Sequence, residues 1–227
     1  MALVDNLIKE GWLKTSRIIE AFKKIKRIDF LPEDLKDLAD LNEALPIGFG
    51  QTISQPLVVA FMIEMLEPKE GEKILDIGSG SGWTTALLGE IVGEGGKVIA
   101  LEVVPELKKI GEENVAKYNL IERGIVEFFC ADGSKGCPNI ASRPELAEGF
   151  DRILVSATAE KLHEAWKEQL KIGGRIVVPI GTSIWLFIKK SKERGDEPSA
   201  HLHSALKGFV FEEVEYPGFV FVPLIEK

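Results

Sequence analysis

The chain has 227 residues and a formal net charge of −8, because 36 acidic side chains outnumber 28 basic ones. This acidic balance argues against a domain built mainly to bind phosphate backbones, so we expect no nucleic-acid partner. With 45% hydrophobic and 28% charged residues the composition is that of a globular protein, and the length suits one domain over residues 1–227.

The sequence predicts neither a membrane span nor a secretory signal. The most apolar runs, 56–66 and 219–225, are too short to cross a bilayer. Residues 1–10 lack a basic region followed by an apolar core. We therefore expect a protein with no membrane partner.

Cysteine and histidine are too sparse to suggest a disulfide framework or a metal site. Cys130 and Cys137 are the only cysteines, and we interpret them as reduced thiols of a cytoplasmic protein. His201 and His203 lie in a polar stretch, which we interpret as a solvated loop rather than a metal site. No metal is expected.

The first part of the chain, residues 1–70, is predicted to be a helical extension. Apolar residues recur there at steps of three and four, as an amphipathic helix requires, at Leu3, Leu7, Ile8, Ile18, Ile19, Phe22 and Ile25. Thr15 or Ser16 is placed to cap the second helix. The segment 45–54 fits neither periodicity and is predicted to be an ordered loop, and Pro56 suits the first turn of a helix through about residue 67.

From residue 71 to residue 181, short β-branched runs alternate with helical stretches. The predicted strands are Lys73–Ile77, Lys97–Glu102, 125–130, 152–156 and 175–180, and the predicted helices are Trp83–Val92, 105–118 and 160–170. Such alternation implies right-handed crossovers and hence an α/β fold with a Rossmann-like, doubly wound, mostly parallel sheet.

The last part, residues 182–227, shows strand patterns with no helix between them. Runs at 184–190, 210–216 and 219–222 read as strands, and the polar run 191–203 reads as an exposed loop. We therefore expect an antiparallel strand pair at the sheet edge.

The sharpest local signal is the segment 74–83, ILDIGSGSGW, between the first predicted strand and its helix. The glycines around Gly78, Ser79 and Gly80 let the backbone turn tightly and approach a ligand. Their G-x-G-x-G spacing differs from the dinucleotide pattern, and Asp76 would repel a pyrophosphate while suiting an ammonium or sulfonium group. The segment favours S-adenosylmethionine over NAD; taken alone, a plain glycine-rich turn remains the alternative.

Acidic residues also end the next two strands. Glu102 is placed to accept hydrogen bonds from the two hydroxyls of a ribose. Asp132 is placed to accept one from an adenine amino group, and Gly133 lets the backbone approach the ring. Because open α/β sheets bind ligands at the carboxyl ends of their strands, these residues predict one cofactor site, although Asp-Gly is also common in turns.

The segment 44–56, ALPIGFGQTISQP, resembles the distinguishing loop of the protein-L-isoaspartate O-methyltransferases. Further similarity runs through 30–35, 75–82, 132–136, 170–175 and 221–224. The resemblance implies methyl transfer from S-adenosylmethionine to the α-carboxylate of L-isoaspartyl residues in damaged proteins. The methyl ester then closes to a succinimide, whose hydrolysis returns some normal aspartate.

The resemblance also assigns roles in the site. Ser54 matches the family's active-site serine, and Thr52 and Ile53 would contact the cofactor. Ile47, Gly48 and Val222 would contact the substrate peptide. The alternatives are a helix cap for Ser54 and a plain edge strand around Val222.

Several segments depart from the family pattern. The segment 137–149 is longer than usual and could cover the cofactor near its adenine. Glu160 and Lys161 follow the fourth strand where the family tends to have proline. The alternatives are therefore another S-adenosylmethionine-dependent methyltransferase, acting on a different carboxylate or on RNA, or a non-catalytic binding module.

Overall fold

The computed structural model describes residues 2–192 and 208–226. Its helices are α1 (Ala2–Lys9), α2 (Ser16–Lys24), α3 (Pro56–Leu66), α4 (Trp83–Val92), α5 (Pro105–Ala116) and α6 (Glu164–Gln169). Its strands are β1 (Leu45–Gly48), β2 (Gln51–Ile53), β3 (Lys73–Ile77), β4 (Lys97–Glu102), β5 (Val126–Cys130), β6 (Phe150–Val155), β7 (Leu170–Ile180), β8 (Ser183–Ser191) and β9 (Phe209–Pro217). His201, His203 and the predicted loop beyond residue 192 lie outside the described residues.

A seven-stranded sheet in the order β5-β4-β3-β6-β7-β8-β9 forms the centre of the fold. The strands from β5 to β7 are parallel to their neighbours, and β8 and β9 extend the β7 edge in antiparallel fashion. Helices α4, α5 and α6 lie in the connections between parallel strands. The predicted doubly wound sheet with an antiparallel C-terminal strand pair is confirmed.

Helix α4 connects the sheet to the N-terminal helices. It is apolar on nearly all sides, and Leu87, Leu88 and Ile91 are fully buried. Phe22 of α2 meets Trp83, the first residue of α4, in an edge-to-face contact with ring centroids 5.8 Å apart. The N-terminal helices therefore pack beside the glycine turn. No helix in the described part of the chain has the length and apolarity needed to cross a membrane.

Several predicted boundaries are confirmed to the residue, including β3, β4 and α4. The predicted loop over 45–54 is wrong, because β1 and β2 pair as an antiparallel hairpin. Its tip carries three successive residues with positive φ, Gly48 (90°), Phe49 (55°) and Gly50 (71°). Two glycines accept this left-handed backbone without strain, so the chain reverses within a few residues.

Three further predictions are corrected. The predicted strand over 219–222 is wrong, because β9 ends at Pro217 and Gly218 turns the chain away with φ 97°. The helix predicted from residue 160 begins at Glu164, because residues before it form bridges to other segments. Thr15 occupies the N-cap position of α2 but makes no capping bond, since its hydroxyl donates to Oε2 of Glu64 at 2.7 Å.

Candidate functional site

A cleft lies at the carboxyl ends of the parallel strands, with a volume of about 520 Å³ counted out to its open mouth. The predicted site residues that line it are Thr52, Gly78, Gly80, Glu102, Gly133 and Val222. Pro223 and Leu224, which the resemblance places with Val222 beside the substrate peptide, line it as well. The lining residues that the sequence reasoning missed are Gln51, Ile77, Leu101, Val103, Ala131, Ser156, Ala157 and Ile225. Many of these residues end a predicted strand or directly follow one, so their position at strand ends could have identified them from the sequence.

The glycine turn after β3 forms the floor of the cleft. Gly78, Gly80 and Gly82 all have positive φ, at 78°, 50° and 86°. A Cβ on Gly82 would lie 2.7 Å from the carbonyl oxygen of Gly111 in α5, so only glycine lets the two segments approach this closely. The turn is therefore shaped by packing beneath it, and Gly78 and Gly80 line the cleft above.

Glu102 places a carboxylate on the wall of the cleft. It is only 6% exposed, and its Oε2 accepts a hydrogen bond from the amide of Gly80 at 2.9 Å. Its Oε1 accepts one from the amide of Val104 at 3.0 Å. A carboxylate has about four acceptor positions, so each oxygen retains capacity for a ligand hydroxyl. The two amide bonds hold the carboxylate in place.

Asp76 lies beneath the turn and does not line the cleft. Its side chain is completely buried, and Oδ2 accepts a hydrogen bond from the hydroxyl of Thr85 at 2.5 Å. Its Oδ1 has no hydrogen-bond partner among the described residues. Burial raises the pKa of Asp76, the hydrogen bond from Thr85 opposes the rise, and the nearby negative charge of Glu102 adds to it, so that the pKa is about 7.

Asp132 and Gly133 have different places in the site: Asp132 supports a turn, and Gly133 lines the cleft. Oδ1 of Asp132 accepts hydrogen bonds from the amide and hydroxyl of Ser134 at 2.9 and 2.7 Å, so this side chain caps a turn and does not line the cleft. Gly133 does line it, and a Cβ there would overlap the side chain of Ile77. The buried indole of Trp166 donates to the carbonyl oxygen of Gly133 at 2.7 Å, a support that the sequence analysis missed.

The β1–β2 hairpin rests against the glycine turn. Cδ1 of Ile47 is 3.3 Å from the position that a Cβ on Gly80 would occupy. Thr52 reaches the cleft, whereas Ile47, Gly48, Ile53 and Ser54 belong to the hairpin or its end without lining the cleft.

Ser54 follows β2 and is half-buried. The N-cap of α3 is Gln55, so the alternative role of Ser54 as a helix cap is wrong. Its hydroxyl makes no hydrogen bond to other described residues, while its carbonyl oxygen accepts one from Nη2 of Arg27 at 3.3 Å. The hydroxyl is therefore available to a ligand. Ser79, also predicted as a site residue, is buried in the turn outside the cleft lining.

The C-terminal segment after β9 forms the opposite wall. The amide of Thr158 donates to the carbonyl oxygen of Val222 at 2.8 Å, and the amide of Leu224 donates to that of Thr158 at 2.8 Å. The ring of Phe219 stacks on Phe61 of α3 with centroids 5.5 Å apart. These contacts hold Val222 at the cleft.

The insertion over 137–149 does not cover the cleft, because none of its residues lines it. Arg143 forms a bidentate ion pair with Glu127 of β5 at 2.7 and 3.0 Å, and its guanidinium lies 4.7 Å from the ring centroid of Phe129. Leu146 is fully buried. The insertion therefore packs against the β5 edge of the sheet.

The chemistry of the cleft fits a cationic nucleoside better than a dinucleotide. A carboxylate on the wall suits hydroxyl donors, and the buried Asp76 beneath the turn, when it is ionised, disfavours a pyrophosphate. Within residues 2–192 and 208–226, no group of three or more His, Cys, Asp or Glu side chains is placed to hold a metal ion.

Comparison with known proteins gives a consistent match. The family model described as protein-L-isoaspartate(D-aspartate) O-methyltransferase (PCMT) matches residues 1–207. A protein-L-isoaspartate O-methyltransferase of Aeropyrum pernix is 43% identical over 80% of this chain, and the match spans 66% of that relative, just under two thirds. The corresponding protein of Ignicoccus hospitalis is 36% identical over 99% of this chain and 96% of its own length.

Solved structures share the fold. One described as a protein-L-isoaspartate O-methyltransferase is 30% identical, with a TM-score of 0.73 over 83% of this chain and 59% of its own. A Plasmodium falciparum structure, described as such an enzyme in complex with S-adenosyl-L-homocysteine, has a TM-score of 0.79 over 100% of this chain and 98% of its own. It is 22% identical, so its likeness shows the fold.

Proposed function

Because the chain belongs to the protein-L-isoaspartate (D-aspartate) O-methyltransferase family, it is an S-adenosylmethionine-dependent methyltransferase, and we propose that it acts on the α-carboxylate of L-isoaspartyl residues in damaged proteins. The observation that carries this proposal is the hairpin that packs on the glycine turn and is followed directly by Ser54, whose hydroxyl has no hydrogen-bond partner among the described residues. The product ester would close to a succinimide and so begin repair.

The proposal assigns the strand-end wall to the cofactor. Glu102 would accept hydrogen bonds from the ribose hydroxyls, the turn at Gly78, Ser79 and Gly80 would lie against the amino-acid portion, and Gly133 would face the adenine. When bound, S-adenosylmethionine supplies an electrophilic methyl group on a sulfonium.

Four other predicted cofactor residues contribute in this proposal, three from outside the cleft lining and Thr52 from within it. Asp76 would contribute negative charge from beneath the turn when its carboxyl group is ionised, and its pKa of about 7 places that ionisation near neutral pH. Asp132 would support Gly133 by capping the turn that contains it. Thr52 lines the cleft and would contact the cofactor from the hairpin, with Ile53 buried behind it.

The reaction needs positioning more than acid–base catalysis. The nucleophile is a carboxylate, which is already ionised near pH 7, so no residue has to remove a proton from it. Ser54 would donate a hydrogen bond to one carboxylate oxygen and so direct the other at the methyl carbon. Holding two reacting groups in alignment and excluding water supplies the rate enhancement.

The substrate peptide would lie between the hairpin and the C-terminal segment. Ile47 and Gly48 belong to the hairpin and Val222 to the C-terminal segment. Backbone contacts from such walls would tolerate many neighbouring side chains. We also propose a cytoplasmic location, which is supported by two free thiols, Cys130 and Cys137.

The experiment compares a peptide containing L-isoaspartate with the same peptide containing normal aspartate. Labelled S-adenosylmethionine should transfer its methyl to the isoaspartyl peptide alone. Equal labelling of both peptides would point to a different carboxylate substrate. Labelling of neither peptide, together with labelling of tRNA, would point to an RNA methyltransferase.

A further inference from the structure

Arg27 is a buried cation that no carboxylate neutralises within the described residues. It is 5% exposed, and burial lowers its pKa to about 10. Its Nε has no hydrogen-bond partner in the part of the chain that the structure describes. Removing an unpaired cation from water is costly, so a guanidinium in this position calls for an explanation beyond packing.

The guanidinium bonds to the backbone of two separate segments. Nη1 donates to the carbonyl oxygens of Ala39 at 3.2 Å and Leu41 at 3.0 Å. Nη2 donates to the carbonyl oxygens of Glu43 at 2.7 Å and Ser54 at 3.3 Å. Arg27 therefore ties the segment before the hairpin to the residue that directly follows it.

Asn42 also links the segment before the hairpin to the residues after it. The side-chain amide of Gln55 donates to the carbonyl oxygen of Asn42 at 2.8 Å, and the amide of Leu57 donates to Oδ1 of Asn42 at 2.9 Å. The chain on either side of the hairpin is thus held together by backbone and side-chain bonds that converge on residues 42 to 43 and 54 to 57.

Arg27 also contacts α4, the helix that follows the glycine turn. The centre of its guanidinium lies 5.5 Å from the ring centroid of Trp83, the first residue of α4. One side chain therefore touches both the backbone of Ser54 and the helix that begins at the cofactor turn.

We propose that Arg27 is a positioning residue that sets the place of the Ser54 hydroxyl relative to the glycine turn. This inference rests on the proposed role of Ser54. A lysine cannot replace Arg27, because one ammonium group has no planar fork to reach four carbonyl oxygens that lie in different directions. Without the fork, the Ser54 backbone loses its link to α4, and the substrate carboxylate is held less accurately.

The test is a double-mutant cycle on turnover of an isoaspartyl peptide with saturating cofactor, using wild type, Arg27→Lys, Ser54→Ala and the double variant. We expect Arg27→Lys to lower kcat by about 10- to 100-fold, since small misplacements have effects of this size. In the Ser54→Ala background the same change should lower kcat by less than about 2-fold, because interacting residues are non-additive. A purely structural role does not produce this coupling.

Arg17→Lys is the matched control, because Arg17 pairs with Glu70 on the surface at 2.5 Å and its side chain is 44% exposed. It should leave kcat unchanged. Affinity for S-adenosyl-L-homocysteine, measured by calorimetry, should stay within about 3-fold in Arg27→Lys. A parallel loss of that affinity would overturn the inference, because Arg27 would then act through the cofactor turn.

If Arg27→Lys does not fold, Asn42→Ala is the second variant. It removes the hydrogen bond from the amide of Leu57 to Oδ1 of Asn42 and leaves the guanidinium of Arg27 in place. Its smaller loss of kcat should also vanish in the Ser54→Ala background. An equal loss of kcat in the wild-type and Ser54→Ala backgrounds overturns the positioning role of Arg27 and leaves the proposed function intact. A Ser54→Ala variant with full turnover overturns the proposed role of Ser54, and the positioning role of Arg27 with it.

Discussion

The two walls of the cleft are built in different ways. The wall that we assign to the cofactor comes from the ends of β3 and β4 and the turn after β5, where parallel register aligns Ile77 with Leu101 and Glu102 with Cys130. The wall that we assign to the substrate combines a short hairpin with a C-terminal segment from the other end of the chain. A continuous sheet positions the first wall, while a few long-range contacts, from Arg27 and Thr158, position the second.

This difference implies that the two walls can be damaged separately. Changes at strand ends should act on cofactor affinity, because the backbone around them is held by the sheet. Changes at the hairpin should act on turnover, because the hairpin is proposed to align the substrate carboxylate and not to determine cofactor affinity.

The largest expected effect is on the cofactor wall. Glu102→Ala should weaken binding of S-adenosyl-L-homocysteine about 100-fold, because two hydrogen bonds to a charged group are each worth about 1.5–3 kcal/mol and part of that is offset by water. Calorimetry at constant pH measures it. Glu106→Ala, on the exposed first turn of α5, is the control. Unchanged affinity for S-adenosyl-L-homocysteine in Glu102→Ala would show that Glu102 does not bind the ribose.

On the substrate wall, Ser54→Ala should lower kcat about 30-fold and leave cofactor affinity within about 2-fold. One hydrogen bond to a carboxylate accounts for a change of this size. Initial rates on an isoaspartyl peptide give kcat, and Ser16→Ala at the exposed start of α2 serves as control. A loss of cofactor affinity in Ser54→Ala would contradict the separation of the walls.

The pH dependence of binding should come from the cofactor wall. Asp76 has a pKa of about 7, so its ionised fraction rises from about one tenth at pH 6 to about nine tenths at pH 8. A ligand with an ammonium group prefers the ionised form, and S-adenosyl-L-homocysteine affinity should rise about 10-fold over that interval. Calorimetry on Asp76→Asn should show no such rise; an identical rise would assign the titration to another group.

Stability without ligand should change in the opposite direction. The folded protein holds a proton on Asp76 up to pH about 7, whereas the ordinary value of 3.8 applies to the unfolded chain. Between these values the folded state binds more protons, so the free energy of unfolding falls as the pH rises through this window. Denaturant unfolding of wild type against Asp76→Asn from pH 4 to 8 measures the fall.

The smallest effect is expected away from both walls. Arg143→Ala removes the ion pair with Glu127 and the contact with Phe129, and should cost about 1 kcal/mol of stability, or about 2–4 °C in Tm. Turnover and cofactor affinity should not change, because the insertion lies outside the cleft. A change in cofactor affinity would give the insertion a role in the site.

The amino-acid sequence by itself determined the elements whose signals are local. The bounds of β3, α4 and β4 follow from β-branched runs, a glycine turn and an apolar helix, and each of these patterns reports burial within one element. The strand ends also placed Gly78, Glu102 and Gly133 at one edge, since parallel strands bring their carboxyl ends together.

Only the tertiary structure decided the features that join distant residues. Segment 45–54 shows little periodicity because its hairpin is stabilised by packing on the glycine turn. The late start of α6 follows from the bridges that Thr158 and Ala159 make to Pro223 and Ile180, and the strand over 219–222 is lost because Gly218 turns the chain away from the sheet. Arg27 reads as one polar residue among several, and its bonds to Ser54 exist only because folding brings the two together. A local pattern carries no information about such partners, since their energy depends on the distance between them after folding.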